Sequence, residues 1–401
     1  MDSPRLFDPS FGLFLLLLAQ SVHAQLPYHP TRLFRSSKED GLVYIFGPAT
    51  SAPNQAQLRS IDVTSSLDPA SLNYTTLYST LPWSSAADAV PYIPVVEADG
   101  NFTVYAGACT DSAQDAKTWT FEIGGDGNGT WSQADVVLGD VGQSSLLAPS
   151  FLAGGLSFSS SEDGSNSSLF VFGGMCPYTA ATQDDWQGSA NYSNTMLQLG
   201  PDSTTQFSLN VAPTRGPPVA EAGFALVGLP PTYSNGDNGS RDQQQNFVLI
   251  GGHTQTAYIN MSQVALYSLP QATWTFLGVD QPTQEHTDLA KRNQVTEVEP
   301  RSGHTALLTA DGSKIIVFGG WVGDVNTPAD PQLAILNEAE RTGLLVEIPS
   351  PTRGLRRSLN GRAYHQAPRY DDSRMNQGSG NIHPIDEEDE IESVTNERTV
   401  Y

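Results

Sequence analysis

The chain has 401 residues, 16% of them charged, and a formal net charge of −23. That balance excludes a phosphate-binding face, which needs clustered Lys and Arg, so no nucleic-acid partner is expected. The 36 glycines and 27 prolines, set among short Val, Ile, Phe, Tyr and Trp runs, favour turn-rich β structure over long helices.

Residues 1–24 read as a secretory signal: Phe11–Ala19 is an apolar core of suitable length, and Val22-His23-Ala24 supplies a small-residue cleavage site. No later segment reaches the run of about 18 apolar residues that a membrane helix needs, so no span is expected in this chain. After a polar lead-in from residue 25, five short apolar runs predict strands, each closed by glycine: Val43–Pro48, Phe102–Cys109, Leu169–Cys176, Phe247–Thr254 and Ile315–Gly323. Their first glycines, Gly47, Gly107, Gly173, Gly251 and Gly319, stand 60, 66, 78 and 68 residues apart, which is the signature of a repeat architecture.

Between these runs lie further strand candidates: Leu58–Val63 and Tyr74–Leu77, Trp119–Ile123 and Trp131–Leu138 across the turn at Gly124–Thr130, Asn194–Leu199 and Phe207–Val211, Val264–Leu269 and Trp274–Phe276, and Pro331–Leu336. The Ser-, Gly- and Asn-rich stretches Phe158–Ser168 and Tyr233–Asn246 read as surface loops. Beyond Gly343–Ile348 the composition changes. Six of the 20 Lys and Arg fall between Arg353 and Arg374, and Asp386–Glu392 is acidic, so residues 349–401 are expected to form a disordered, basic-then-acidic tail.

Two local features fit a secreted chain. Asn-X-Ser/Thr sequons occur at Asn73, Asn101, Asn128, Asn166, Asn191, Asn238 and Asn260 and not in the tail. The two cysteines, Cys109 and Cys176, occupy equivalent places after Gly107 and Gly173, and a disulfide between neighbouring units is expected.

Gly251-Gly252, followed by Tyr267 and by Trp274 seven residues later, resembles the kelch repeat, and Gly173-Gly174 and Gly319-Gly320 repeat the glycine pair. Pro300–Ala306 adds a kelch-like start to the fifth unit. The resemblance implies a kelch-type β-propeller over residues 25–348, with about five recognisable blades, short of the six or seven that normally close. In it the glycines would let blades approach closely, and the Tyr and Trp would fill the space between them. The layout is also similar to filamentous-fungal kelch proteins with a single membrane pass, which implies a shortened form lacking blades and a membrane helix between the equivalents of Leu336 and Arg353.

The resemblance implies a non-catalytic binding or scaffold protein of the secretory pathway or cell surface, without metal or cofactor, that engages an unknown protein or glycan through loops on one face. Two alternatives stand beside it. One is a galactose-oxidase-like copper oxidase, with His253 and His304 as candidate imidazoles, although a Cys109–Cys176 disulfide would leave no thiol for the Tyr–Cys cross-link. The other is a glycan-binding propeller.

Overall fold

The computed structural model describes most of residues 30–336, with interruptions that include 65–73, 279–298 and 324–332. The expected signal and tail, Gly343–Ile348, and Asn73, Asn166 and Asn238 lie outside the described residues.

Every described element is a β-strand, and antiparallel pairing within each group of strands forms five blades of a propeller. Blade one comprises β1 (Arg32–Arg35), β2 (Leu42–Ala49), β3 (Ala52–Asp62) and β4 (Thr75–Tyr78). Blade two comprises β5 (Tyr92–Val96), β6 (Phe102–Ala106), β7 (Lys117–Ile123) and β8 (Gly129–Leu138). In blade three, β9 (Gly154–Phe158) and β10 (Ser168–Phe172) are followed by a small hairpin of β11 (Met175–Pro177) and β12 (Ala190–Tyr192), then by β13 (Met196–Ser203) and β14 (Gln206–Val211). Blade four holds β15 (Ala225–Gly228), β16 (Thr232–Asn235), β17 (Arg241–Ile250), β18 (Gln263–Leu269) and β19 (Thr273–Gly278). Blade five holds β20 (Thr305–Leu308), β21 (Ile315–Phe318) and β22 (Leu333–Leu336).

The apolar runs are the second strands, and their composition follows from their place. Each is covered on both faces, so both alternating side-chain sets are apolar. Tyr44 and Phe46 of β2 join Phe102, Val104 and Phe121 between blades one and two, while Val43 and Ile45 turn the other way, toward Ile316 and Phe318 of blade five. Leu169 and Val171 pack on blade two, whereas Phe170 and Phe172 meet Phe224, Phe247 and Leu249 of blade four. Val248 and Ile250 meet Ile315 and Val317 of blade five. These clusters fill the interfaces in the order one-two, two-three, three-four, four-five and five-one. Blade five has three strands among the described residues, yet the ring of five interfaces is complete.

The inner strands β1, β5, β9, β15 and β20 surround a narrow axial channel of about 60 Å³. Gly155 of β9 shows how tight the axis is: a Cβ there would stand 2.6 Å from Val95 and 2.7 Å from Ile93 of blade two. At the rim, β8 and β14 pair parallel from Gln206↔Asp135 to Leu209↔Leu138, which joins blades two and three into one eight-stranded sheet and covers two outer edges.

The stretch Tyr233–Asn246, expected to be a loop, instead contributes β16 and the first half of β17. Its polar residues belong to a hairpin extending past the interface, where burial begins only at Phe247. Within Phe158–Ser168, the two end residues cap β9 and β10. Among the described residues, no helix is long and apolar enough to cross a membrane.

Candidate functional site

The five inner strands start from one face, here called the upper face. In blades three, four and five, the segment leading into the inner strand bridges back to the residue after the Gly-Gly pair that closes the second strand: Phe151↔Met175, Ala222↔His253 and Ser302↔Trp321. The Gly-Gly turns make this possible. Gly174, Gly252 and Gly320 have φ of 89°, 100° and 89°, which returns the chain across the face. The turns also tie neighbours together, because Gly174 N donates to Glu221 O at 2.8 Å and Gly252 N to Arg301 O at 2.7 Å. A second tier runs from Gly303 N to Gly223 O (2.7 Å) and from Gly223 N to Leu152 O (2.8 Å).

This lattice buries an unusual set of polar side chains. His253 is fully buried, and its Nδ1 lies 2.6 Å from Ser302 Oγ. The imidazole is enclosed by Trp186, Tyr192 and Tyr258, with ring centroids 5.1, 5.7 and 5.7 Å away. Burial holds His253 down to about 3, so it is neutral across the physiological range. His304 is likewise lowered to about 3 by burial, with Arg32 and Arg301 adding to the effect. Glu221 moves the other way: burial raises its carboxyl to about 8, and its Oε1 has no hydrogen-bond partner. Ser302 reaches His253 because residue 223 is glycine, where a Cβ would come within 2.0 Å of Ser302 Oγ. Both members of the Ser302–His253 pair are closed to solvent, so the pair braces blades four and five.

These shifts set a stability profile. Glu221 is raised from 4.5 to about 8, so the folded chain binds the extra proton and stability falls as pH rises through that window. The histidines are lowered from 6.5 to about 3, so stability falls as pH drops through that window. Because two histidines outweigh one glutamate where the windows overlap, thermal melting is expected to peak at about pH 6.5. Glu221→Gln is expected to flatten the alkaline decline while leaving the acid limb intact. An unchanged alkaline limb in the variant would show that Glu221 is not its cause.

Around this buried layer stand partly exposed aromatic residues. The β11–β12 hairpin carries exposed Tyr178 and half-buried Tyr192, and Tyr258 and Trp321 stand half-buried beside it. The hairpin is locked onto blade four by two amides: Gln187 Nε2 donates to Thr254 O, and Gln255 Nε2 to Gly188 O, each at 2.8 Å. Beside it, Arg32, Tyr92 and Leu152 line a shallow depression that leads into the channel.

The disulfide joins Cys109 of blade two to Cys176 of β11, with Cα atoms 5.6 Å apart. It takes up the thiol that a copper-oxidase Tyr–Cys cross-link would use, and His253 and His304 are enclosed structural groups. The glycines divide. Gly173, Gly174, Gly251, Gly252, Gly319 and Gly320 form left-handed turns, whereas Gly47 and Gly107 are each followed by another residue type, and β2 runs straight on through Gly47. Tyr267 and Trp274 face each other across β18 and β19, centroids 4.7 Å apart, with Phe172 of blade three 4.8 Å from Trp274. Among the sequons, Asn128 is exposed in the β7–β8 turn, and Asn191 and Asn260 are half-buried. Asn101 is buried and hydrogen-bonded into the fold: its Oδ1 accepts from Ile123 N and Lys38 Nζ, and its Nδ2 donates to Asp99 Oδ2.

Glu221, Ser302 and the partly exposed aromatic residues were not singled out as site residues from the sequence. One signal was available, since Glu221-Ala222-Gly223-Phe224 and Arg301-Ser302-Gly303-His304 occupy equivalent lead-in positions.

No protein-family profile and no characterised protein sequence matches the chain. Similar solved structures include an α-L-arabinanase of Penicillium chrysogenum complexed with arabinobiose (12% identity, 82% of this chain and 83% of that one, TM-score 0.39). An α-L-arabinofuranosidase of Lactobacillus brevis aligns over 80% of this chain and 95% of its own, at 9% identity and TM-score 0.38. The BP39L lectin of Burkholderia pseudomallei aligns over 82% and 72%, at 10% identity and TM-score 0.33. None of the three is described as a kelch protein, and the kelch assignment is corrected accordingly. The structure supplies the reason: the glycine pair serves an upper-face turn in three blades, and the spaced Tyr and Trp recur in only one. The expectations of a protein-binding scaffold and of a non-enzyme came with that assignment and are withdrawn with it.

Proposed function

We propose that this chain is a glycan-recognising β-propeller, with its ligand on the upper face. The observation that supports it is the presence on and beside the β11–β12 hairpin of the partly exposed aromatics Tyr178, Tyr192, Tyr258 and Trp321, with the Gln187 and Gln255 amides in the same segment. A sugar ring presents an apolar C–H face and a polar hydroxyl edge, and aromatic faces bordered by amides complement both. The disulfide fits an oxidising compartment, so the site of action is extracytoplasmic, and the leader at residues 1–24 and a glycan on Asn128 belong to the same reading.

The test is a glycan array followed by titration calorimetry. Tyr178→Ala is expected to weaken the best array ligand about tenfold, equivalent to about 1.4 kcal/mol, without lowering the melting temperature. Full affinity in that variant would remove Tyr178 from the site.

A further inference from the structure

We propose that Asn128 is a site of spontaneous covalent modification, at which the Gly129 amide nitrogen attacks the Asn128 carboxamide and the side chain is converted to aspartate or isoaspartate. Asn128 is exposed in the β7–β8 turn. The strand ladder sets the geometry there. Gly124 N donates to Asn128 O at 2.7 Å, which makes residues 124 and 128 a bonded pair of the hairpin. Antiparallel ladders alternate bonded and non-bonded pairs, so the next pair, Ile123↔Gly129, turns its N–H and C=O groups outward. Both residues show it: Ile123 N donates to Asn101 Oδ1 at 3.0 Å, and Gly129 N donates to Asn128 Oδ1 at 2.9 Å. The proton that the nucleophile must lose thus points at the oxygen that gains charge during the attack. The carbon under attack is one C=O bond, about 1.2 Å, beyond that oxygen, and such proximity is what makes an intramolecular reaction fast.

Blade one holds this arrangement in place. Tyr44 Oη donates to Gly127 O at 3.0 Å and Tyr78 Oη to Gly129 O at 2.8 Å, so the carbonyls on either side of Asn128 are both fixed. Asn128 N donates to Asp126 Oδ1 at 3.1 Å. Packing also requires glycine at 129, where a Cβ would stand 2.7 Å from the Phe121 ring and run into Glu122 O. The blade therefore preserves the pair that reacts, and no side chain on residue 129 screens its nitrogen. The same turn supplies a contrast, because in Asp126-Gly127 the glycine nitrogen donates to Gly124 O at 3.1 Å, away from the preceding side chain.

The reaction balances without a co-reactant other than water. The bond from Gly129 N to Asn128 Cγ forms, the Cγ–Nδ2 bond breaks, and ammonia departs with the proton from Gly129 N, leaving a cyclic imide. Water then opens the imide, giving aspartate by attack at the side-chain carbonyl and isoaspartate by attack at the main-chain carbonyl. Either product adds a carboxylate and ends the Asn128-Gly129-Thr130 sequon. Isoaspartate also lengthens the main chain by one methylene between the two carbonyls that Tyr44 and Tyr78 hold.

The test uses the full chain, produced without N-glycans and aged near neutral pH. Peptide mapping follows the mass gained from amide to acid at each asparagine, and an isoaspartyl carboxyl methyltransferase counts isoaspartate. Residue 128 is expected to convert in the folded chain at least as fast as in the same chain unfolded in urea. It should also convert more than about tenfold faster than buried Asn101, whose next residue is Phe102. Tyr78→Phe, shown by its melting curve to be folded, releases Gly129 O and is expected to slow the folded rate severalfold with the urea rate unchanged. Asn128→Gln must close a larger ring and should give no isoaspartate at 128. A folded rate below the urea rate would overturn the proposal, because the fold would then protect the amide. Isoaspartate arising at Asp126 instead, or an unchanged rate in folded Tyr78→Phe, would overturn it as well. The reaction needs no ligand, so its failure leaves the glycan reading standing.

Discussion

Gly252→Ala is expected to destabilise the chain by about 3–5 kcal/mol, lowering the melting temperature by on the order of 5–10 °C. Two costs combine. Residue 252 sits at φ +100°, a conformation that costs an L-residue about 1–3 kcal/mol. The added Cβ would also stand 2.8 Å from Ala222 O and 3.0 Å from Phe224 N, both backbone atoms that cannot move aside without breaking the Ala222↔His253 bridge. Gly319 is the internal control: its φ is +70°, but a Cβ there meets nothing within 4 Å. Gly319→Ala should therefore cost strain alone, about 1 kcal/mol. Urea melts of the two variants decide the matter, and equal losses would mean that the close approach at Gly252 is not limiting.

Loss of the Cys109–Cys176 disulfide is expected to have a similar effect. The bridge closes a loop with a sequence separation of 67, for which the chain-entropy relation predicts about 4 kcal/mol. Replacing both cysteines by alanine should lower the melting temperature by roughly 10 °C and make it insensitive to reductant. The effect should fall mainly on unfolding cooperativity between blades two and three, which the parallel β8–β14 pair also joins. A loss below about 1 kcal/mol would show that those other ties already restrict the unfolded ensemble.

The blades themselves were legible because their second strands are buried on both faces. Such strands cannot alternate apolar with polar, so Leu169–Phe172 or Ile315–Phe318 stands out as a continuous apolar run, and the glycine after it marks a turn. The inner strands β9 and β15 were not legible. They are short, contain Gly154, Gly155 and Gly228, and take their strand character from the crowded axis rather than from local propensity. The outer rim misled in the opposite direction, since the polar residues of β16 and early β17 read as loop while pairing as strands. The kelch motif failed for a related reason: paired glycines answer a turn geometry, which different propellers can share.

The sequence by itself determined that this chain is a turn-rich β repeat with period-two packing on both faces of its second strands, and that two cysteines stand at equivalent places. Those are properties of local pattern, carried by residues a few positions apart. Only the tertiary structure decided that five blades suffice to close the ring. It also decided that His253 and Ser302, far apart in the chain, meet at 2.6 Å and that Glu221 keeps its proton. The reason is physical: ring closure brings together blade one and blade five, whose residues are far apart in the chain, and burial in that closed ring, rather than residue type, sets the protonation of Glu221.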